Sequence, residues 1–221
     1  PEEQQLLQSQ KVTIMHGDGR YVIKHSNEYY DVIIAALPQP YTVQLNRYYT
    51  KDFFEEVLQH LTPGGIFSFT IPSSEYFINN ELALFLSSLS KTLRTSFPAV
   101  TIIPGTMAIF IAQNAIAAPP LTAPLLLERL RERNISLSYF NEYYLPTRFS
   151  SQTIQYMQQR LTDAQSARIN TDLAPIAYYY DIVLWSALSF EPLQRFMQSL
   201  LHIPLAAFYI LVAVIIFFLY G

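Results

Sequence analysis

The sequence predicts an α/β fold with a sheet that is parallel until a closing antiparallel hairpin, followed by a helical region and a C-terminal transmembrane helix. Short apolar runs alternate with segments of helical periodicity over residues 11–113. Two β-type runs then flank Pro104-Gly105-Thr106, which indicates the hairpin. Residues 203–221 carry no charge over 19 positions, which is long enough for a helix to cross a bilayer.

The predicted strands ahead of the hairpin are residues 11–15 (KVTIM), 31–37 (DVIIAAL) and 66–71 (IFSFTI). The second run is almost uninterrupted, as is typical of a parallel strand buried on both faces. Pro38 ends it, because proline cannot donate to a ladder. The hairpin strands are predicted at residues 100–103 and 107–112.

Two amphipathic helices are predicted between these strands. Thr50 is the N-cap of a helix that extends to Leu61, with apolar residues at helical spacing. Pro63-Gly64-Gly65 is expected to end this helix. The second helix covers residues 81–97.

The second half of the chain differs in composition. Three prolines indicate a linker at residues 114–125, and helices are predicted at residues 125–134, 150–166 and 176–190. The last of these is aromatic-rich and is interpreted as an interfacial or domain-packing helix, with an ordinary core helix as the alternative. We therefore divide the chain into an α/β domain (1–113), the linker (114–125), a helical membrane-proximal region (126–202) and the transmembrane helix (203–221).

Composition excludes several classes of protein. The chain is 51% hydrophobic and 14% charged, which excludes a disordered chain. Its net charge of −3 argues against nucleic acid as a partner, since phosphate contacts need a basic surface. With no cysteine, disulfides and thiolate metal sites are excluded. His16 is expected to be packed or solvated, and no metal site is predicted.

Four motifs occur in a specific order: GDGR at residues 17–20, YDVII at 30–34, RYYTKDFFEEV at 47–57 and LTPGGIFSF at 61–69. In this order the chain resembles the spermidine synthase family of aminopropyltransferases, over residues 11–113. The resemblance implies a partial class I methyltransferase-like (Rossmann-like) sheet. The second half is similar to the membrane-fused bacterial members of the family.

The resemblance implies a ligand site at the GDG motif. In the family, the aspartate of this motif binds the adenine end of decarboxylated S-adenosylmethionine, a role that falls on Asp18, with Gly17 and Gly19 beside it. A carboxylate at the end of a strand can accept a hydrogen bond from an exocyclic amine. The alternative is a turn aspartate that caps local amides.

The loop after YDVII departs from the family pattern. The family has an aspartate that helps to deprotonate the attacking amine and a second that holds the diamine, and here these positions are Ala36 and Gln39. Alanine cannot accept a proton, and an amide cannot offset a buried ammonium. We therefore predict no catalytic residue in this loop. Three residues nearby in sequence could substitute for the missing acids: Tyr41, Asp52 and Glu75.

In the family, the strand that carries the Gly-rich cofactor loop and the one after it both come before the GDG strand, and those elements would precede residue 11 here. We expect upstream sequence, another subunit or further transmembrane segments to complete the fold. Without them, the 11–15 strand would lack its neighbour and leave ladder groups unpaired.

The functional expectation is a membrane-anchored spermidine-synthase-like protein without ordinary aminopropyl transfer, retaining an adenosyl-ligand or polyamine site. The alternative is a non-enzymatic regulatory or assembly module, or the polyamine-sensing part of a transporter. Membrane lipid is the expected partner, at the bacterial inner membrane. Arg195 and His202 precede the span, which favours a cytoplasmic α/β domain. Asp172 and Asp181 are candidate functional acids, although capping explains Asp172 equally well.

Overall fold

The computed structural model describes residues 9–116, 119–137 and 142–187. The first part contains α1 (Gly19–Lys24), β1 (Tyr30–Ala35), α2 (Val43–Asn46), α3 (Lys51–Gln59), β2 (Leu61–Pro72), α4 (Asn80–Ser96), β3 (Ala99–Ile103) and β4 (Met107–Gln113). The second part contains α5 (Ala123–Glu132), α6 (Tyr144–Arg148), α7 (Ser151–Asp163) and α8 (Ile176–Ala187).

The four strands form one mixed sheet in the order β1-β2-β4-β3. β1 and β2 are parallel, whereas β4 runs antiparallel to both β2 and β3. The predicted α/β fold with a closing hairpin is therefore confirmed. The carboxyl ends of β1 and β2 lie at the same edge of the sheet, which is where ligands bind in open α/β sheets.

The predicted strand at residues 11–15 is wrong. Residues 11–15 pair with no strand of the described sheet, and the Val12 amide donates to the local Ser9 carbonyl at 3.0 Å, as in a turn. An extended segment becomes a strand only when another strand satisfies its N–H and C=O groups, and none of the described residues does so here.

The burial predicted for β1 is also wrong. β1 is an edge strand of the described sheet, and Val32 and Ile34 are 54% and 69% exposed. An apolar run predicts burial only where a neighbouring layer covers it. Within the described residues, no element covers this face of β1.

The two central helices follow the prediction closely. The Thr50 hydroxyl accepts a hydrogen bond from the Phe53 amide at 3.3 Å and begins α3, and Asn79 caps α4 through its side chain. Both helices bury one apolar side against the sheet, since helical spacing places those residues on one face. The aromatic side chains at the centre of this core are Tyr49, Phe53, Phe54, Phe67, Phe69 and Phe110.

Pro63-Gly64-Gly65 does not end α3, contrary to the prediction. α3 ends at Gln59 with His60 as its C-cap. Pro63, Gly64 and Gly65 lie inside β2, where the register against β1 shifts between Tyr30 and Val32. Gly64 has φ +82°, which favours glycine. A Cβ on Gly65 would lie 2.9 Å from the Thr62 carbonyl oxygen. The glycines therefore form an irregularity in the strand.

Helices α7 and α8 complete the same hydrophobic core. Met157 from α7 and Ile176, Ala177 and Tyr180 from α8 are buried against it. α8 thus packs as a core helix along α4, although Trp185 near its end is 57% exposed. In the part of the chain that the structure covers, no helix is long and apolar enough to cross a membrane. The predicted span at residues 203–221 lies outside the described residues.

Candidate functional site

Asp18 is the N-cap of α1. Its Oδ1 accepts a hydrogen bond from the Tyr21 amide at 3.1 Å and another from the Tyr48 hydroxyl at 3.2 Å. Its Oδ2 forms an ion pair with Arg47 Nη2, and the Arg47 guanidinium lies over the Tyr48 ring. The Tyr21 amide, together with the bonds from Arg47 and Tyr48, holds the pKa of the Asp18 carboxyl below its usual value. The capping alternative therefore describes what Asp18 does in the fold.

The geometry also leaves room for a ligand at Asp18. A carboxylate has about four lone-pair positions, and three are used here. The side chain of Asp18 is 41% exposed, and a Cβ on Gly17 or Gly19 would meet no atom within 4 Å. One acceptor position therefore stays open on Oδ2, beside open backbone.

Arg20 joins the GDGR segment to the second half of the chain. Its Nε and Nη2 bond to Glu56 at 2.7 and 3.0 Å, and its Nη1 and Nη2 bond to Asp172 at 2.9 and 2.8 Å. Burial disfavours the charge, yet these two carboxylates raise the pKa of Arg20 above its ordinary value. Asp172 also accepts a bond from the Thr50 hydroxyl at 2.7 Å. Asp172 is therefore a structural anchor of the Arg20 side chain.

Asn170 is the buried centre of the same junction. Its side-chain amide donates to Asn46 Oδ1 at 3.1 Å and to the Tyr49 carbonyl at 2.9 Å, and its Oδ1 accepts from the Ala177 amide at 3.1 Å. The last bond satisfies a free amide in the first turn of α8. Asn170 is fully buried, so each of these bonds fixes where α8 lies.

Helix α8 of the second half of the chain contacts the loop after β1, which holds the two positions where the family has its aspartates. Gln39 Nε2 donates to Asp181 Oδ1 of α8 at 2.9 Å. The Tyr49 hydroxyl donates to the Pro38 carbonyl at 2.7 Å, which fixes the loop backbone. Ala36 is exposed and brings no polar side chain to the loop.

Asp181 is 1% exposed, and burial raises its pKa to about 6. Among the described residues it forms no ion pair, so its hydrogen-bond partner is the neutral Gln39 amide. The sequence singled out Asp181 as a candidate acid but not its position. Only the packing of α8 brings it to the loop after β1.

Tyr41 adjoins this loop, and its backbone amide donates to the Gln39 carbonyl at 2.8 Å. Among the described residues, no side-chain hydrogen bond joins Asp52 or Glu75 to the loop. Asp52 accepts a hydrogen bond from the Asp172 amide at 2.9 Å, and so supports the junction instead. Tyr41 is 52% exposed. His16 is exposed, as expected for a solvated histidine. Within the described ranges, no group of three or more His, Asp or Glu side chains could hold a metal ion.

The comparison with known families matches this fold and motif order. Residues 1–116 match the family model described as "Spermine/spermidine synthase domain", which is just over half of the chain. The chain belongs to the spermine/spermidine synthase family. The resemblance read from the sequence is thereby confirmed.

The chain covers only parts of its relatives. It is 39% identical over 59 residues to a polyamine aminopropyltransferase of Oceanobacillus iheyensis, which is 27% of this chain and 12% of that protein. Two solved structures share the fold at 18% identity, each over 71% of this chain. They are spermidine synthase in complex with the transition state analogue AdoDATO (TM-score 0.54, 53% of that chain) and spermidine synthase from Thermotoga maritima (TM-score 0.51, 52% of that chain).

Proposed function

We propose that this spermidine-synthase-like domain retains an adenosyl-ligand site at Asp18 and lacks ordinary aminopropyl transfer. The observation that carries the proposal is the loop after β1. Ala36 brings no proton acceptor there, and Gln39 is bonded to Asp181. A positioned general base typically contributes about 10²–10⁴-fold to a rate. The spare acceptor position on Asp18 and the open space over its glycines support the nucleoside half of the proposal.

Ligand binding is tested by thermal shift on the full-length protein with decarboxylated S-adenosylmethionine and with methylthioadenosine. We expect both to raise the melting temperature, and Asp18→Asn to reduce the shift, since the amide loses the charge and one acceptor. Asp31→Asn is the matched control, because Asp31 is exposed and bonds to Thr62. If neither compound stabilises the protein, the retained site is wrong.

Loss of transfer is tested by assaying aminopropyl transfer to 1,4-diaminobutane. We expect negligible turnover by the natural sequence and a gain in the double variant Ala36→Asp/Gln39→Asp. Measurable turnover by the natural sequence, as fast as that of the double variant, would overturn the loss-of-transfer proposal. The family match and the fold do not favour the alternative of a non-enzymatic module or a transporter sensor.

A further inference from the structure

Asp181 is a buried carboxylate that forms no ion pair with any of the described residues. It lies on α8, is 1% exposed, and receives one hydrogen bond from Gln39 at 2.9 Å. In the part of the chain that the structure describes, no Lys, Arg or His pairs with it. An isolated ionised carboxylate is costly to bury unless a cation or several donors offset its charge.

The contacts of Asp181 with the described residues do not require a charged side chain at this position. An asparagine could accept the same bond from Gln39 through its own Oδ1, without the cost of a buried charge. Asn170 is an example of a buried neutral amide in the same fold. It forms hydrogen bonds with Asn46, with the Tyr49 carbonyl and with the Ala177 amide of α8. The charge of Asp181 is therefore better explained by a ligand than by packing.

The position of Asp181 is where a ligand can reach it. Gln39 is half-buried and belongs to the loop at the carboxyl end of β1, in which Ala36 and Pro38 are exposed. Asp181 thus lies one hydrogen bond below the surface, at the edge of the sheet where α/β proteins bind ligands. The Gln39 amide nitrogen marks a donor position 2.9 Å from the carboxylate.

We propose that Asp181 is the carboxylate that binds a primary ammonium group of an amine ligand, at the donor position that the Gln39 amide occupies. An ammonium adds to its hydrogen bond a Coulombic attraction to the carboxylate that a neutral amide lacks, so an ammonium can displace the amide. A single carboxylate supplies too few oxygens for a divalent cation, which takes six or more. This inference rests on the proposed function, because it supplies the amine half of the site in place of the loop acids.

The test is isothermal titration of the full-length protein with 1,4-diaminobutane, compared with 1,4-butanediol, which has the same length and no charge. We expect the natural protein to bind the diamine and not the diol. Asp181→Asn should lower the affinity for the diamine at least tenfold, while keeping the Gln39 hydrogen bond and a cooperative melting transition. Asp163→Asn is the matched control, since Asp163 is an exposed acid bonded to Gln159, and it should bind the diamine unchanged.

Gln39→Ala keeps the proposal testable if Asp181→Asn fails to fold. Removal of the competing amide should leave diamine affinity equal to or above that of the natural protein. Loss of diamine binding in Gln39→Ala, unchanged binding in a folded Asp181→Asn, equal binding of the diol, or no binding by the natural protein would each overturn the proposal.

Failure of this inference is distinguishable from failure of the proposed function. Methylthioadenosine carries no primary ammonium, and Asp18 recognises it independently of Asp181. Stabilisation by methylthioadenosine without diamine binding overturns the role of Asp181 alone. Diamine binding that depends on Asp181, without any nucleoside effect, overturns the retained adenosyl site alone.

Discussion

Arg20 shows how one side chain can connect distant parts of the sequence. It bonds to two carboxylates, of which Glu56 is 16% and Asp172 is 37% exposed, and its own side chain is 13% exposed. Paired forks of this kind combine geometric specificity with charge. Because Asp172 is 152 positions away, this contact helps to define how residues 170–172 dock against α1.

We expect Arg20→Met to lower the free energy of unfolding by roughly 2–4 kcal/mol, because it removes the cation bonded to Asp172 and leaves the half-buried Glu56 only the exposed Lys24. Lys24→Met is the matched control. Lys24 also pairs with Glu56, at 3.6 Å, but is 60% exposed, so its loss should cost under about 1 kcal/mol. Urea unfolding of the three proteins measures both values, and equal losses would show that Arg20 is not the anchor.

Because Asp181 is buried, its ionisation should make the protein less stable as pH rises. An ion-paired aspartate has the opposite effect. Its folded-state pKa of about 6 lies above the unfolded value of 3.8, so the folded state holds the proton more tightly. Stability should therefore fall as pH rises from about 4 to 6, by roughly 1–3 kcal/mol. Asp181→Asn removes this decline, because an amide does not titrate.

The measurement is the melting temperature of both proteins from pH 4 to pH 8, without added amine. The difference between variant and natural protein isolates Asp181 from the acids Asp18 and Asp172, whose lowered pKa values act in the opposite direction at lower pH. A constant difference over this range would show that Asp181 is ionised throughout.

At the scale of elements, the irregularity in β2 is the feature least expected from the sequence. Gly65 lies against the backbone of both strands. A Cβ at this position would be 2.9 Å from the Thr62 carbonyl oxygen and 3.1 Å from that of Tyr30. These carbonyls belong to the paired strands and cannot move as a flexible side chain would. The glycine is thus needed for close approach of β1 and β2.

We expect Gly65→Ala to destabilise the protein by about 1–3 kcal/mol, the usual cost of forcing extra volume into packed structure. Gly17→Ala is the control for stability, because a Cβ there meets no atom within 4 Å. Thermal unfolding of both variants tests this expectation. A Gly65→Ala protein as stable as the Gly17→Ala protein would contradict the close approach.

At the scale of the whole molecule, membrane attachment through residues 203–221 stays a prediction. The 19 uncharged residues would favour insertion as a helix. We expect the full chain to stay in the membrane fraction after washing at high pH, and a chain lacking residues 203–221 to be released. A control deletion of residues 1–8 should leave the partition unchanged. Release of the full chain would contradict the predicted span.

The sequence by itself determined the order of the elements and the family. Helical spacing and the cap at Thr50 are local signals, since each depends on residues within one or two turns of helix. The hairpin around Pro104-Gly105-Thr106 is likewise local. These features needed no knowledge of distant contacts, and the structure confirms them.

Only the tertiary structure decided pairing, burial and the neighbours of the polar residues. Residues 11–15 have the composition of a strand, but a strand needs a partner that local sequence does not reveal. The apolar run of β1 likewise predicts burial only if another layer covers it.

The same reason applies to the candidate site. The departures at Ala36 and Gln39 were visible in the sequence, whereas the carboxylate of Asp181, 142 positions beyond Gln39, was placed beside them only by the packing of α8. Side-chain contacts between segments so far apart depend on how whole elements dock. That docking depends here on buried groups such as Asn170 and Arg20, whose partners no local pattern identifies.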